Sequence, residues 1–277
     1  MRNTALAFLF TCASLAARDP LAARIAHTDP AKYHRSPAIH GGAGALDFMA
    51  LFGDHDFDVN LYFLHRGVLE PKSGIGHHFH NTCEEMFVIL DGEAQFTIDG
   101  RTSLLKGPAG ALCRMGHSHA IYNATDKPVQ WMNINVGSVK GKYDTFDLHD
   151  ARVDVSLDPV PVFIAMRLDR EMLKPTANSV LYHRALTPDV FFSNWSYVDH
   201  LSVPDGHATA HERHENIEEF YYVMNGSGQA TVGKESAPIQ AGDAVPVLFN
   251  EEHSFEARGG QLELMAVGIS RVKFALN

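Results

Sequence analysis

Short segments rich in β-branched and aromatic residues recur along the chain, with polar residues at alternate positions. The first is residues 59–68, and similar segments follow at residues 85–90, 94–98, 111–115, 119–123 and 129–136. The dipeptides Asp91-Gly92 and Asp99-Gly100 between them are typical of tight β-hairpins. Short strands joined by glycine-containing turns at close spacing predict an all-β barrel or sandwich.

The pattern is repeated later in the chain. Residues 84–92 recur as residues 218–226, an offset of 219 − 85 = 134. The same offset relates four further pairs of identical residues: His80 and His214, Gln95 and Gln229, Thr97 and Thr231, and His119 and His253. A constant shift without gaps indicates an internal duplication, so the chain is predicted to contain two copies of one barrel.

The first copy carries a cluster of potential metal ligands. Side chains alternate along a strand, so His78 and His80 are expected on the same face. Glu85 follows five residues later, and a short loop between paired strands would return it beside the two histidines. His119 offers a fourth ligand. Imidazoles and a carboxylate on one face predict a site for a divalent transition metal.

These residues resemble the motifs of a known family. His78-x-His80-x4-Glu85-x6-Gly92 resembles the first motif of the cupin superfamily, and Gly116-x2-His119-x3-Asn123 resembles the end of the second. The resemblance implies two antiparallel β-barrels of the double-stranded β-helix or jelly-roll type, that is, a bicupin. It places the metal ligands at His78, His80, Glu85 and His119. Arg114 departs from the second motif, which usually has proline there; this changes the pocket lining rather than the ligands.

The second copy departs from the motif at one ligand position, where Glu212 matches His78. It therefore offers Glu212, His214, Glu219 and His253. A Glu-x-His variant is similar to the second barrel of some bicupins, such as the ureidoglycine aminohydrolases. His211 would lie on the opposite face of a regular strand. Either the four residues bind manganese or iron, or the second site is degenerate and its barrel serves to pair the domains; we favour a weakened or absent second metal.

Length and charge set further limits. The 277 residues suffice for two domains. We divide the chain into residues 1–17, an N-terminal arm (18–54), barrel 1 (55–137), a connector (138–189) and barrel 2 (190–277). With 23 basic and 33 acidic residues, the net charge of -10 argues against a nucleic-acid or anionic-membrane partner. No segment is long and apolar enough to span a membrane.

Residues 1–17 combine a positive charge, a short apolar run and small residues near Ala16 and Ala17, as a secretory signal peptide does. This favours a periplasmic or secreted protein; an extension upstream of a later start, or an N-terminal helix, is the alternative. Cleavage would remove Cys12. Cys83 and Cys113 would remain, as a disulfide in an oxidising compartment or as buried thiols.

Arg114 and His117 are the candidate catalytic residues outside the ligand set. Arg114 either holds a substrate carboxylate through paired hydrogen bonds or lies at the surface. His117 is a proton shuttle, a spare ligand or an exposed residue. His65 and Asn133 could face the barrel interior, but periodicity does not fix their register. Glu84 alternates away from Glu85 and is expected in solvent. Residues 163–173 predict a short helix.

The ligand set leaves several functions open. Three imidazoles and one carboxylate leave about two positions free on a six-coordinate metal, as catalysis requires. By family analogy, the first hypothesis is an Fe(II) dioxygenase acting on a small enol- or catechol-like substrate. The second is a manganese- or zinc-dependent isomerase, decarboxylase or lyase acting on a sugar acid or keto acid; nickel is also compatible. The third is a cupin that binds a small molecule without turnover. A homodimer is expected.

Overall fold

The computed structural model describes residues 18–273, so the predictions for residues 1–17 and Cys12 lie outside it. The described chain is nearly all β, as predicted, with 52% strand and 6% helix. The first barrel is built from eight strands: β4 (Leu61–Leu69), β5 (Gly74–Phe79), β6 (Cys83–Ile89), β7 (Glu93–Ile98), β8 (Arg101–Lys106), β9 (Ala109–Cys113), β10 (Ser118–Tyr122) and β11 (Val129–Gly137). Six of these strands, β4, β6, β7, β9, β10 and β11, coincide closely with the segments that alternation predicted.

The second barrel repeats this order with seven strands: β16 (Trp195–Val203), β17 (Ile217–Asn225), β18 (Ser227–Val232), β19 (Glu235–Gln240), β20 (Asp243–Val247), β21 (His253–Ala257) and β22 (Leu262–Ser270). Before the first barrel lie helix α1 (Leu21–Arg24) and strands β1 (Ala26–His27), β2 (His34–Pro37) and β3 (Ala45–Gly53). Between the barrels lie β12 (Phe146–Asp147), β13 (Ala165–Arg167), β14 (Lys174–Pro175) and β15 (Leu181–Leu186). Four 3₁₀ turns complete the described structure: Pro30–Lys32, Ile39–Gly41, Arg170–Met172 and Pro188–Val190.

Each barrel is a pair of facing antiparallel sheets. In the first, the sheet β13-β9-β6-β11-β4-β3-β2 faces the sheet β12-β5-β10-β7-β8. In the second, the sheet β1-β20-β17-β22-β16-β15-β14 faces the shorter sheet β19-β18-β21. Strand β1 thus joins the second barrel, whereas β2 and β3 join the first. The N-terminal segment therefore ties the two barrels together.

Three apolar cores follow from the alternation of side chains. One lies inside the first barrel and includes Phe87 and Trp131, and a second lies inside the second barrel and includes Tyr221 and Phe255. The third lies between the barrels and contains residues of both, among them Met86 and Phe220. Both faces of β6 are therefore buried: odd-numbered residues face the barrel interior and even-numbered residues face the other barrel.

Glu84 lies on the face of β6 that meets the other barrel, and the expectation that it is solvated was wrong. It is fully buried, and its carboxylate accepts hydrogen bonds from the amides of Phe192 and Ser193 (2.8 and 2.7 Å) and from the Ser193 hydroxyl (2.6 Å). Alternation does place Glu84 on the opposite face from Glu85, but that face is covered by the second barrel instead of water.

The same contact is repeated in the opposite direction. Glu218 of the second barrel accepts hydrogen bonds from the amides of Asp58 and Val59, at 2.8 and 3.0 Å, just before the first barrel begins. The sequence offset of 134 relates all the partners, since 218 − 84, 192 − 58 and 193 − 59 each equal 134. The barrels are therefore joined by two equivalent carboxylate contacts, as expected for a pseudo-two-fold arrangement.

The connector differs from its prediction in one respect. Residues 163–173 were expected to form a short helix, but they form strand β13 and one 3₁₀ turn, because Ala165–Arg167 pairs with the edge of β9. Cys83 and Cys113 are buried free thiols, which decides between the two alternatives left open for them. Within residues 18–273, no helix has the length and hydrophobicity to cross a membrane.

Candidate metal centre

Three strands and one loop bring the predicted ligands of the first barrel together. His78 on β5 lies directly opposite His119 on β10, and the loop after β5 carries His80 and returns the chain to Glu85 on β6. Each of the four side chains is at most 3% exposed. One potential ligand atom from each lies within 4.8 Å of the others. The short loop therefore places Glu85 beside the histidines, as the sequence predicted.

The histidine rings are oriented by hydrogen bonds at Nδ1. That atom donates to the Gly76 carbonyl in His78 (2.8 Å) and to the Asp144 carbonyl in His80 (2.5 Å). In the neutral rings Nε2 therefore carries a lone pair that faces the centre. His78 Nε2 lies 3.0 Å from His119 Nε2, and His80 Nε2 lies 3.0 Å from Glu85 Oε2. Such a convergence of acceptors requires a proton or a cation between them.

The donor set fits a divalent metal ion. His80 Nε2 is buried without a hydrogen-bond partner, because its direction toward Glu85 does not satisfy hydrogen-bond geometry. Burial alone would lower the pKa of His80, but the Glu85 carboxylate outweighs burial and raises it to about 11. Burial lowers the pKa of His78 to about 4, so this ring stays neutral. A metal ion would take the place of the proton on His80 and would bind both His80 Nε2 and the Glu85 carboxylate.

Glu85 is held by two amides that face it from β11. Asn133 and Asn135 each donate from Nδ2 to one of its carboxylate oxygens, both at 2.6 Å. Asn135 lies directly opposite Glu85 in the strand register. Asn133 was a candidate from the sequence but Asn135 was not; their i, i+2 spacing on a strand facing β6 was the available signal. The two amides fix the direction of the carboxylate toward the histidines.

Aromatic side chains surround the ligands. Phe87 stacks on the His119 ring at 4.5 Å between centroids, and His40 stacks on His78 at 3.8 Å. Tyr143 of the connector lies 5.5 Å from the His80 ring and is 45% exposed, so it separates the site from solvent. His65 is opposite Asn133 on β4 and therefore faces the interior. Burial lowers its pKa to about 4.

The connector forms part of this site, which the sequence did not indicate. We call residues 138–150 the strap. Strand β12 of the strap pairs with β5, and the Asp144 carboxylate accepts hydrogen bonds from the amides of Asn81 and Thr82 and from the Thr82 hydroxyl. Asp147 contacts His40 Nδ1 at 2.5 Å. The strap therefore orients His80 directly and His78 through the stacked His40 ring.

Known proteins share these features. Residues 65–135 and 200–268 each match the Cupin domain family. The chain belongs to the cupin family. No curated protein sequence matches it significantly, so the remaining comparisons are structural.

Among solved structures, this bicupin is similar to oxalate decarboxylase from Bacillus subtilis (17% identity, TM-score 0.63, covering 90% of this chain and 77% of that chain). It is also similar to a variant of salicylate 1,2-dioxygenase from Pseudoaminobacter salicylatoxidans (15%, 0.66, 80% and 73%) and to procruciferin, an 11S globulin from Brassica napus (10%, 0.70, 89% and 85%). At these identities the likeness shows the fold alone.

The second cupin domain gathers its predicted ligands less tightly. Glu212, His214 and His253 form one group of potential ligands. Glu219 is buried beside them, with Oε2 at 3.3 Å from His253 Nε2 and 3.7 Å from His214 Nε2. The Glu212 side chain is 56% exposed and that of His214 is 30% exposed. His211 lies at the surface, 3.3 Å from Glu252. This site is therefore more open to solvent than the first.

Two tyrosines replace the amides that hold the carboxylate in the first domain. Tyr197 and Tyr221 donate to Glu219 Oε1 at 2.5 and 3.0 Å, and the Tyr221 hydroxyl also lies 3.0 Å from His253 Nε2. By the offset of 134, Tyr221 corresponds to Phe87, and Val267 and Ile269 correspond to the two asparagines. The hydroxyl thus lies among the ligands themselves, where the first domain has only a phenyl ring. Burial raises the pKa of both tyrosines, so their hydroxyls stay protonated.

The segment that carries Glu212 and His214 also differs from β5. It makes two isolated bridges, at Ala208 and Glu212, instead of a continuous strand. Its counterpart β5 is paired on both edges, with β10 and with the strap strand β12. The first cupin domain therefore holds its ligands more rigidly than the second.

Arg114 and His117 are not brought to the ligand cluster. Arg114 Nε donates to the Val190 carbonyl at 2.6 Å, and its guanidinium lies 4.4 Å above the Phe192 ring. His117 Nδ1 contacts the exposed Asp99 at 2.6 Å. Their neighbour Cys113 pairs with Glu85, so alternation directs Arg114 away from the face that holds the ligands. A catalytic role for these two residues remains a prediction.

Proposed function

We propose that this bicupin is a metal-dependent enzyme and that its reaction takes place in the first cupin domain. The observation that carries the proposal is the convergence of His78, His80, Glu85 and His119 in a buried site where His80 Nε2 lacks a hydrogen-bond partner. Four protein ligands on an octahedral ion would leave about two positions for substrate. The second domain, with its open site and inserted hydroxyl, supports the first structurally.

The favoured reaction is oxidation of a small enol- or catechol-like substrate by dioxygen, with Fe(II) at the site. Iron would supply the ability to bind the substrate and dioxygen together. The aromatic surroundings support this choice, because Tyr143 lies against the His80 ring and Phe63 packs edge-to-face on Tyr143, with ring centroids 6.1 Å apart. A planar substrate would pack against them and exclude water.

Side chains around the ligands would orient the substrate and hold protons. Asn133 and Asn135 hold the Glu85 carboxylate in one orientation, so its negative charge stays directed toward the three histidines. His65 faces the interior as a neutral imidazole and can accept a hydrogen bond from a substrate hydroxyl. Tyr143 closes the side nearest the solvent.

A manganese- or zinc-dependent reaction without dioxygen is the second candidate. One fold relative, oxalate decarboxylase from Bacillus subtilis, has Mn(II) centres, and the carboxylate in the ligand set suits manganese as well as iron. Here the substrate would be a sugar acid or keto acid, and the reaction an isomerisation, decarboxylation or lyase step.

Metal analysis of matched variants tests the proposal. His80 and His214 occupy equivalent positions, so His80→Ala and His214→Ala form a controlled pair. We expect about one metal ion per chain by mass spectrometry, lost in His80→Ala and kept in His214→Ala. Loss in His214→Ala alone would place the metal in the second domain and overturn the assignment.

Oxygen consumption separates the two candidate reactions. An oxygen electrode would be used to screen iron-loaded protein with catechols and enols, with His80→Ala as the blank. Uptake that depends on substrate and on His80 supports oxidation. Turnover of a keto acid or sugar acid without oxygen uptake would instead support the second candidate.

A further inference from the structure

A cavity outside the barrel interior has no part in the proposed reaction. It has a volume of about 440 Å³ and lies between the end of β9, the turn after β7 and connector residues 162–164. That volume is within the range of small-molecule sites. Cys113 is paired with Glu85 and lies on the same face of the sheet as that ligand. Side chains alternate along the chain here, so the neighbouring Leu112 and Arg114 lie on the opposite face, where they line the cavity. The cavity is therefore separate from the metal centre.

One side of the cavity is apolar and fixed. Leu112 is only 2% exposed, and its amide donates to the Ile164 carbonyl at 3.1 Å, which holds the connector against β9. Phe163 and Ile164 extend this surface, and Val162, 55% exposed, lies at the rim. An apolar group of moderate size can be buried there without rearrangement of the barrel.

The charged groups that line the cavity are paired, with one exception. Arg101 makes two hydrogen bonds to Asp158, at 2.8 and 2.7 Å, and His117 contacts Asp99 at 2.6 Å. Arg114 has no carboxylate partner within 4 Å among residues 18–273. Its Nε is held by the Val190 carbonyl and its plane by the Phe192 ring, so the guanidinium is oriented before any ligand arrives.

We propose that this cavity is a binding site for a small carboxylate with an apolar body, such as an aryl carboxylate. The carboxylate would accept paired hydrogen bonds from the terminal nitrogens of Arg114, and the body would pack on Leu112, Phe163 and Ile164. The site is independent of the metal centre and goes beyond the proposed reaction.

Fluorine NMR titration with 4-fluorobenzoate tests the proposal, with 4-fluorobenzyl alcohol as the neutral comparison. We expect saturable binding of the carboxylate that is weakened roughly tenfold or more in Arg114→Gln, because the charged hydrogen bonds are lost. Arg167→Gln, which alters a 53% exposed arginine outside the cavity, is the matched control and should bind normally. Val162→Asp, at the exposed rim, should also weaken binding through charge repulsion.

His80→Ala distinguishes the cavity from the metal centre. Binding that persists in His80→Ala supports a separate site, whether or not the proposed metal chemistry is correct. Binding that disappears in His80→Ala would place the probe at the metal and overturn the proposal. Equal binding by wild type and Arg114→Gln, equal binding of the alcohol, or no saturable binding would each overturn it as well.

Discussion

At the residue scale, the two cupin domains differ in the side chains that surround their equivalent carboxylates. Glu85 is oriented by two amides, whereas Glu219 is oriented by two tyrosine hydroxyls, one of which also lies 3.0 Å from His253. The ligand positions alone do not reveal this, because Glu219 and His253 match the first domain. The residues beside the ligands decide how freely the carboxylate can reach a metal.

His65 provides a test of the interior at the same scale. Partial burial holds its pKa near 4 against 6.5 for an exposed histidine, so acid must charge a largely desolvated ring. Stability due to the neutral ring is present above pH 6.5 and is lost as the pH falls toward 4. Relative to His65→Gln, we expect wild type to lose at most about 3 kcal/mol of unfolding free energy over this interval. Urea unfolding from pH 7 to pH 4 measures the difference.

An exposed histidine gives the control for that measurement. His55 has a side chain that is 94% exposed, so His55→Gln should parallel wild type at every pH. Parallel curves for wild type and His65→Gln would show that His65 does not titrate across this interval and is not buried as a neutral ring.

At the element scale, the sequence predicted what depends on local pattern. Alternation and turn residues located β4, β6, β7, β9, β10 and β11, and the spacing of His78, His80 and Glu85 predicted a cluster that the fold assembles. Glu84 and residues 163–173 were misjudged, because burial between barrels and pairing of β13 with β9 are contacts between distant segments. The strap gave no signal in the sequence for the same reason: its Asp144 lies 64 residues beyond His80, the histidine that it orients.

The strap therefore carries a prediction of its own. Asp144→Ala keeps the carbonyl that accepts from His80 but removes the carboxylate that anchors the strap to Asn81 and Thr82. With the strap loosened, the His80 ring is less well oriented. We expect metal affinity to fall by up to about 10-fold, less than the roughly 10- to 100-fold that follows complete loss of an outer partner of a ligand, as measured by competition with a chromophoric chelator.

Asp126→Ala is the control for the strap, since this carboxylate is 91% exposed and contacts only Lys72 among the described ion pairs. Its metal affinity should equal that of wild type. Unchanged affinity in Asp144→Ala would mean that the remaining contacts of the strap, β12 pairing among them, position it without this carboxylate. The thermal midpoint of each variant should be recorded, so that general unfolding is not mistaken for a local effect.

At the scale of the whole molecule, duplication explains why the domains pack as they do. The odd-numbered residues of β6 build one barrel interior, and its even-numbered residues build the core shared with the second barrel. Glu84 then binds the segment that leads into the second barrel, and Glu218 binds the segment that leads into the first. The backbone amides that donate to the two carboxylates are related by the same offset of 134. A contact made through backbone amides leaves no signature in the identity of its partner residues, so the sequence could not predict it.

These two contacts are expected to stabilise the protein equally and independently. Glu84→Ala removes the acceptor from the buried amide of Ser193 and the part-buried amide of Phe192, and Glu218→Ala does the same to the buried amide of Val59 and the part-buried amide of Asp58. We expect each to cost about 2–4 kcal/mol, since unsatisfied buried donors are costly. If the two contacts are independent, the double variant should show the sum to within about 0.5 kcal/mol. Glu215→Ala, on an exposed residue nearby, should cost almost nothing.

Calorimetry checks both points: wild type should unfold in one transition, and the double variant in two if these contacts couple the domains. A single transition in the double variant, with a loss no larger than that of Glu215→Ala, would assign the coupling to the shared apolar core alone.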